Sequence, residues 1–158
     1  MILSNHKGKS MQRETIRLGL CVGFLSATLR QKLQKSFAQH LAPYQLEYRQ
    51  AGILWVCYTQ PKTQSFVSQL GELDKNYARI FVEDLQQKGL IERVQNPNDH
   101  REKLLILTES GKRVAEETFA LMLQSQKEIL SAHLSKDEFE TLQKLLYKCF
   151  VGIHQIHV

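Results

Sequence analysis

The chain has few of the residues that mark secreted scaffolds, structural zinc sites or membrane spans. Its three cysteines, Cys21, Cys57 and Cys149, lie far apart without a CxxC pair, so neither a disulfide framework nor a structural zinc site is indicated. No apolar run approaches the roughly 18 residues that a spanning helix needs. The N-terminal MILSNHKGKS also lacks the long apolar core of a signal peptide. We therefore expect a cytoplasmic protein that does not act at a membrane.

The motifs of common enzyme classes are missing as well. There is no glycine-rich phosphate loop, no GxSxG elbow and no HExxH pair. The histidines show no metal-ligand spacing with acids or cysteines. We therefore expect no catalytic activity, no cofactor and no metal.

Charge of one sign is concentrated in only one part of the chain. The net charge is +5 with a pI of about 9.2, which permits an anionic partner without identifying one. Residues 1–43 carry seven Lys or Arg against one acid, whereas residues 44–113 are nearly balanced, with ten basic and nine acidic side chains. Only the placement of individual cations can therefore define a surface for an anionic partner.

The stretch from Asp74 to Leu107 carries the clearest local pattern. From Asp74 to Gly89, apolar residues at helical spacing leave a polar face free, and both ends carry a stop signal, an N-cap at Asp74 and a glycine at position 89. Two apolar segments, 90–94 and 104–107, then flank a turn-rich segment that ends in Arg101. A helix followed by a hairpin with a basic tip predicts a winged helix.

The flanking segments read as helices. The predicted helices are Gln12 to about His40, a second starting at Pro43, a third over Gln64–Leu70 capped by Thr63, a fourth from Glu109 to about His133 capped by Thr108, and a last one opened by the capping box at Ser135. The third helix, a turn and the Asp74 helix form a helix-turn-helix. The first and last helices carry more apolar surface than one chain of this size would cover, which favours pairing with a second copy.

Three short motifs, in this order and spacing, resemble the MarR family of bacterial transcription regulators. They are Lys88-Gly89-Leu90, Asp99-His100-Arg101, and the Leu107–Gly111 segment LTESG. The resemblance implies a mainly α fold with a small β-hairpin wing, a winged helix-turn-helix whose N- and C-terminal helices form a dimerisation region. It divides the chain into an arm and dimerisation helix (1–42), a DNA-binding region (43–108) and linking and dimerisation helices (109–158). It also implies a homodimeric regulator, most often a repressor released by an effector, that binds a pseudo-palindrome in double-stranded DNA.

Candidate DNA contacts follow from helix position and from the resemblance. Lys75, Asn76, Tyr77 and Arg79 lie in the first two turns of the recognition helix, where Asn suits adenine, Arg suits guanine, and the other two suit phosphates or base edges. The resemblance implies that Arg101 enters the minor groove, oriented by Asp99. His100, Lys103 and Arg93 are either phosphate neighbours or simply solvated. Gln64 and Ser65 are further candidates for phosphate contacts. The chain departs from the family in placing its recognition-helix arginine one position early, so base-reading details do not transfer.

The input signal is left open between alternatives. The resemblance implies a cavity for a small aromatic carboxylate or phenol as effector, or else an oxidant-sensing cysteine in the first helix. The second alternative points to Cys21, with Tyr44 and Tyr48 as candidate neighbours. A sensing thiolate needs an electropositive or hydrogen-bonding setting, and Cys21 between two apolar residues also fits a small core residue. A winged-helix interaction or architectural module without an effector is the remaining alternative.

Overall fold

The computed structural model describes residues 17–71 and 73–155, and it has the predicted mainly helical winged helix-turn-helix fold. The helices are α1 (Val22–Leu41), α2 (Tyr48–Tyr58), α3 (Gln64–Leu70), α4 (Lys75–Gln87), α5 (Glu109–Ser131) and α6 (Lys136–His154). The strands are β1 (Lys62–Thr63), β2 (Ile91–Gln95) and β3 (Lys103–Leu107). Within the described ranges, no helix is both long and apolar enough to cross a membrane.

Helix α4 forms where its sequence signals place it. Asp74 accepts a hydrogen bond from the backbone N–H of Asn76 at 2.8 Å, which satisfies one of the free donors at the helix start. Gly89 has a φ of 67°, the left-handed conformation that a residue without Cβ adopts at little cost. The predicted inward stripe, Ala78, Phe81, Val82 and Leu85, is buried. The opposite face of the helix remains in solvent.

The wing contains one strand more than the sequence predicted. Strands β2 and β3 pair in antiparallel register from Ile91 opposite Leu107 to Gln95 opposite Lys103, as expected of the hairpin. Residues Lys62 and Thr63 add β1 to the other edge of β3, giving the order β1-β3-β2. A two-residue strand is too short to show alternation, so the sequence predicted no strand there. Its pairing ties the start of α3 to the wing.

The LTESG motif joins the wing to α5. The Thr108 hydroxyl donates to the carbonyl of Gly89 at 2.6 Å and accepts from the N–H of Gly111 at 3.0 Å. A Cβ at position 111 would lie 1.9 Å from the carbonyl oxygen of Leu90, so glycine is required there. Thr108 therefore caps α5, as predicted, and also fastens that helix to the end of the recognition helix.

Two predicted helix starts are wrong. The first helix was expected from Gln12, but residues 18–20 form a 3-10 turn, Cys21 is extended, and α1 begins at Val22, while positions 12–16 lie outside the described residues. Gly19, in the segment before α1, disfavours helix by about 1 kcal/mol relative to alanine. The side chains of Leu18, Leu20 and Val22 are more than half exposed, so packing within one chain does not offset that cost.

The second helix was expected from Pro43 and instead begins at Tyr48. Pro43 lies in a 3-10 turn, Ala42–Tyr44, which ends because Gln45 is left-handed with a φ of 53°. A reciprocal capping box between Glu47 and Gln50 then starts α2. The start of α2 was not predicted because glutamate is not among the usual N-cap residues.

The core lies between α2, α4, α5 and the sheet, whereas α6 stands apart from it. Buried apolar side chains from these elements form one cluster, which the C-terminal end of α1 joins through Phe37 and Leu41. Helix α6 opens at the predicted Ser135 capping box, yet none of its residues is buried. Leu145, Leu146 and Ile153 of α6 are all more than half exposed.

Candidate nucleic-acid interface

The N-terminal half of α4 presents the four predicted contact residues to solvent. Lys75, Asn76, Tyr77 and Arg79 are all exposed, because the inward stripe of the same helix holds its other face against the core. Tyr77 is 60% exposed and its ring packs 6.4 Å from that of Phe81. The major groove of DNA is wide enough to admit an α-helix, and this face would present hydrogen-bond donors and an aromatic ring to it.

Two features of this face escaped the sequence interpretation. Arg79 donates to the Glu83 carboxylate at 3.0 Å, one helical turn along. The pair is exposed and therefore worth under about 1 kcal/mol, so it would yield easily to a nucleic-acid acceptor. Ile80 is 51% exposed beside it. The four-residue spacing of Arg79 and Glu83 on a helix could have predicted this ion pair. No sequence pattern predicts that an isoleucine is exposed.

Arg101 stands at the wing tip, held by Asp99. Its Nε and Nη2 each donate to a carboxylate oxygen of Asp99 at 3.0 Å, while 89% of the arginine side chain remains exposed. The side-chain hydrogen bonds from Arg101 lower the pKa of Asp99, so the pair stays ionised at neutral pH. The two-point contact fixes the direction of the guanidinium without burying it.

The loop behind this arginine is held by its own hydrogen bonds. Gln95 Nε2 donates to the carbonyl of His100 at 2.6 Å, and the N–H of Asn98 donates to Asn96 Oδ1 at 3.0 Å. The His100 side chain is exposed. The loop is therefore largely ordered in the free protein, which reduces the conformational entropy lost when it binds a ligand.

The start of α3 and the wing line one groove of about 310 Å³, which brings Gln64, Ser65 and Arg101 together. Arg93 also lines it, and its Nε and Nη2 are buried with no acceptor among the described residues. A buried guanidinium N–H without a partner costs free energy that an incoming anionic oxygen would recover. Sequence reasoning left Arg93 open between a phosphate neighbour and a solvated side chain, because the burial of two nitrogens in a half-exposed strand is not visible in a sequence pattern.

A polar network connects α2 to the back of the recognition helix. The side chain of Gln50, which is buried, donates to Asp84 Oδ2 at 2.6 Å, and Lys88 donates both to the same carboxylate and, at 2.8 Å, to the carbonyl of Gln45. The hydrogen bond from Lys88 is the main reason that the pKa of Asp84 is lowered. Helix α4 is thereby fixed relative to α2.

Two cavities share a wall made of Trp55, Val56 and Leu70. The large cavity, about 750 Å³, lies between α2, α5 and α6, and the small cavity, about 330 Å³, lies between α1, α2 and α3. The Trp55 indole donates to Thr118 at 3.1 Å and packs edge-on against Phe119, with 5.5 Å between ring centroids. Sequence reasoning singled out neither aromatic residue, since both fit an ordinary apolar helix face.

The three predicted effector or redox residues do not share a site. Tyr48 lines the small cavity, but Cys21 and Tyr44 line neither cavity. Tyr44 donates to Glu117 at 2.9 Å, and desolvation together with that carboxylate raises the pKa of Tyr44. Cys21 is exposed just before α1, whereas Cys57 is buried and desolvation raises its pKa to about 11.

Comparison with known proteins extends the likeness beyond the motifs. The chain is 30% identical over 133 residues to the multiple antibiotic resistance protein MarR of Escherichia coli, covering 80% of this chain and 89% of that protein. It is 29% identical over 130 residues to the HTH-type regulator YdcH of Bacillus subtilis, covering 78% and 88%. No family model matches the chain.

Solved structures agree with the fold. A MarR-family regulator from Rhodococcus sp. RHA1 superposes with a TM-score of 0.81 at 20% identity, covering 91% of this chain and all (100%) of that one. A mutant MarR of Escherichia coli complexed with operator DNA superposes with a TM-score of 0.68 at 28% identity, covering 84% and 95%. From the sequence identity to MarR over most of both chains, and from the shared winged fold, the chain belongs to the MarR family of transcriptional regulators.

Proposed function

We propose that this DNA-binding regulator is a repressor that binds a pseudo-palindromic operator as a homodimer and is released by a small-molecule effector. The observation that carries the proposal is the wing tip: Arg101 projects into solvent while both oxygens of Asp99 hold its guanidinium. A pre-oriented, exposed cation on a narrow hairpin suits the negative potential of a narrow minor groove.

In this proposal the exposed face of α4 enters the adjacent major groove. Asn76 and Arg79 contact base edges, Arg79 by exchanging Glu83 for a base, while Lys75 and Tyr77 contact phosphates or base edges. Gln64, Ser65 and His100 are proposed phosphate neighbours. Of the two interpretations left open for Arg93, we take the phosphate neighbour, because a phosphate oxygen in the groove would satisfy its two unpartnered nitrogens.

The exposed apolar surface of the terminal helices supports the homodimer. Leu20 and Val22 precede and open α1, each 77% exposed, and Ile153 near the end of α6 is 75% exposed. Strongly exposed apolar side chains at both ends of the chain are what a contact between two copies would cover. A two-fold pair would place two α4 helices on half-sites about one helical turn apart.

An effector would act by binding more tightly to a dimer whose winged regions are wrongly spaced for DNA. The two cavities support this step, because Trp55 and Val56 of their shared wall belong to α2, and α2 is hydrogen-bonded to α4 through Gln50 and Asp84. A ligand that moves α2 would therefore also move the recognition helix. The connection consists of only three side chains, Gln50, Asp84 and Lys88.

A salt titration of DNA binding tests the proposal against an architectural role. DNA fragments retained by the purified protein are sequenced, and binding to the recovered sequence is compared with binding to a shuffled duplex. A specific repressor gives steep loss of affinity with salt and a preference of about a thousandfold or more for the recovered sequence. Weak binding that is indifferent to sequence would instead favour an interaction or architectural module.

Oxidant sensing through Cys21 is a second candidate, favoured by the exposure of this thiol next to α1. If it operates, hydrogen peroxide releases the wild-type protein from its operator and the variant Cys21→Ser is indifferent. The same sensitivity in both proteins would remove Cys21 from the mechanism.

A further inference from the structure

The large cavity is shaped for an aromatic ligand. It measures about 750 Å³ and takes its walls from Trp55, Phe119, Tyr147 and Phe150, among other residues of α2, α5 and α6. Volumes in this range enclose most of a drug-sized molecule. The Trp55 ring is fixed by its hydrogen bond to Thr118 and by its edge contact with Phe119, so this part of the wall is already formed without a ligand.

The cavity carries charge of one sign. Among the described residues that line it, Glu116 is the only Asp, Glu, Lys, Arg or His. Its carboxylate accepts a hydrogen bond from the hydroxyl of Tyr58, and no Lys, Arg or His of the described ranges forms an ion pair with it. A carboxylate beside aromatic walls attracts a cation and repels a carboxylate, and the faces of the rings add cation–π attraction.

The small cavity, across the Trp55 wall, has the opposite character. Arg30 and Arg49 line it together with Tyr48. An aromatic carboxylate, the effector chemistry that the family resemblance implies, therefore suits the small cavity and conflicts with Glu116 in the large one. The two adjacent cavities are thus distinguished by the charge of the side chains that line them, and the large cavity is also the more aromatic.

We propose that the large cavity binds a lipophilic aromatic cation, with Glu116 as its charge partner and the rings of Trp55 and Phe119 as its walls. The proposal names the ligand class of one cavity and rests, for its regulatory consequence, on the proposed release from operator DNA. The binding step itself does not depend on that release.

Trp55 provides the measurement, because it is the only tryptophan in the chain and it lines the cavity. The full-length protein is titrated with tetraphenylphosphonium and, in parallel, with tetraphenylborate, an anion of nearly the same shape, while Trp55 fluorescence is recorded. The variants are Glu116→Gln and, as the matched control, Glu117→Gln. The neighbouring Glu117 contacts Tyr44 and does not line the cavity, so the control makes the same change in net charge elsewhere.

We expect saturable binding of tetraphenylphosphonium that Glu116→Gln weakens about tenfold or more and Glu117→Gln changes by less than about twofold. Phe119→Ala should weaken it as well, and circular dichroism checks that each variant is folded. The proposal is overturned if the cation does not bind, if the two glutamine variants lose affinity equally, or if tetraphenylborate binds more tightly in a manner that depends on Phe119. Absent binding together with a Trp55 signal that changes on dilution would assign the cavity wall to the contact between two copies.

A second readout separates this proposal from the proposed function. Operator binding is measured with and without saturating tetraphenylphosphonium. Release of DNA supports both proposals, and its loss in Glu116→Gln assigns release to this cavity. Tight, Glu116-dependent binding without release would leave the ligand class standing and contradict effector control through this cavity.

Discussion

The winged region, residues 62–108, and the terminal helices α1 and α6 differ in how far one chain completes them. In the winged region the recognition helix has its apolar stripe buried, its ends capped and its neighbours fixed by Thr108 and Gly111. Helix α6 is as regular, yet none of its residues is fully buried. Burial of an apolar side chain contributes about 1.5–3 kcal/mol. The exposed apolar side chains of α6 would contribute this free energy only if another surface covered them. The winged region is complete as a fold within one chain, whereas α6 leaves apolar side chains in solvent that the proposed dimer would cover.

The substitution Gly111→Ala should cause the largest loss of stability, because it disrupts the junction between the winged region and α5. The added Cβ would lie 1.9 Å from the Leu90 carbonyl oxygen, so α5 and the end of the recognition helix must separate. We expect the free energy of unfolding to fall by about 3 kcal/mol or more. Denaturant unfolding followed by circular dichroism measures it. Gly52→Ala, inside α2 with open space around the new methyl group, is the control, and equal losses in the two variants would contradict the close junction.

Leu145→Glu tests the incomplete region. Its side chain is 57% exposed in the single chain, so a glutamate there costs little in a monomer but puts a charge into a contact between copies. We expect the dimer to dissociate about a hundredfold more readily, which sedimentation velocity over a dilution series measures. Gln143→Glu adds the same charge at another exposed position of α6. An unchanged oligomeric state in Leu145→Glu would contradict the assignment of α6 to the dimer.

Arg101→Ala should weaken operator binding without weakening the fold. The side chain contacts Asp99 in an exposed ion pair, so the stability change stays under about 1 kcal/mol. Removing a groove cation should lower affinity about 10- to 100-fold and reduce the salt slope by about one. Fluorescence anisotropy at several salt concentrations measures both. Lys136→Ala, at the exposed start of α6, is the control, and an unchanged slope in Arg101→Ala would contradict the wing contact.

Asp84→Asn should produce the smallest effect, and it should depend on pH. Because the pKa of Asp84 is lowered in the folded state, its contribution is present above the unfolded pKa of about 4 and is lost as pH falls through the lowered value. The carboxylate is partly exposed, so we expect under about 1 kcal/mol at neutral pH. Denaturant unfolding of both proteins from pH 7 to acid measures it. The difference should vanish at low pH, and a constant difference would point to packing instead.

The sequence was sufficient where a structure is decided by local chemistry. The caps at Thr63, Asp74, Thr108 and Ser135 and the stop at Gly89 are all present, because each depends on a side chain or a backbone conformation within a few residues. The family and the winged fold followed from the spacing of three such motifs.

Features decided by distant contacts could not be predicted. The starts of α1 and α2 depended on packing and on an uncommon glutamate cap, and β1 depended on an edge provided by β3 some 40 residues later. The unpartnered nitrogens of Arg93 and the lone charge of the large cavity are properties of neighbours brought together by the fold. The roles proposed for the DNA-contacting residues remain predictions, since their exposure is compatible with contact but does not require it.

The mass of the protein–DNA complex tests the central claim most directly. The protein is mixed with a duplex carrying the sequence that it selects, and the complex is weighed by light scattering during size-exclusion chromatography. Two 18.3 kDa chains on each duplex is the predicted result, with the same two-chain mass for the protein alone. A single chain bound to the duplex at full affinity would show that the winged region acts without its terminal helices being paired, and would contradict the account.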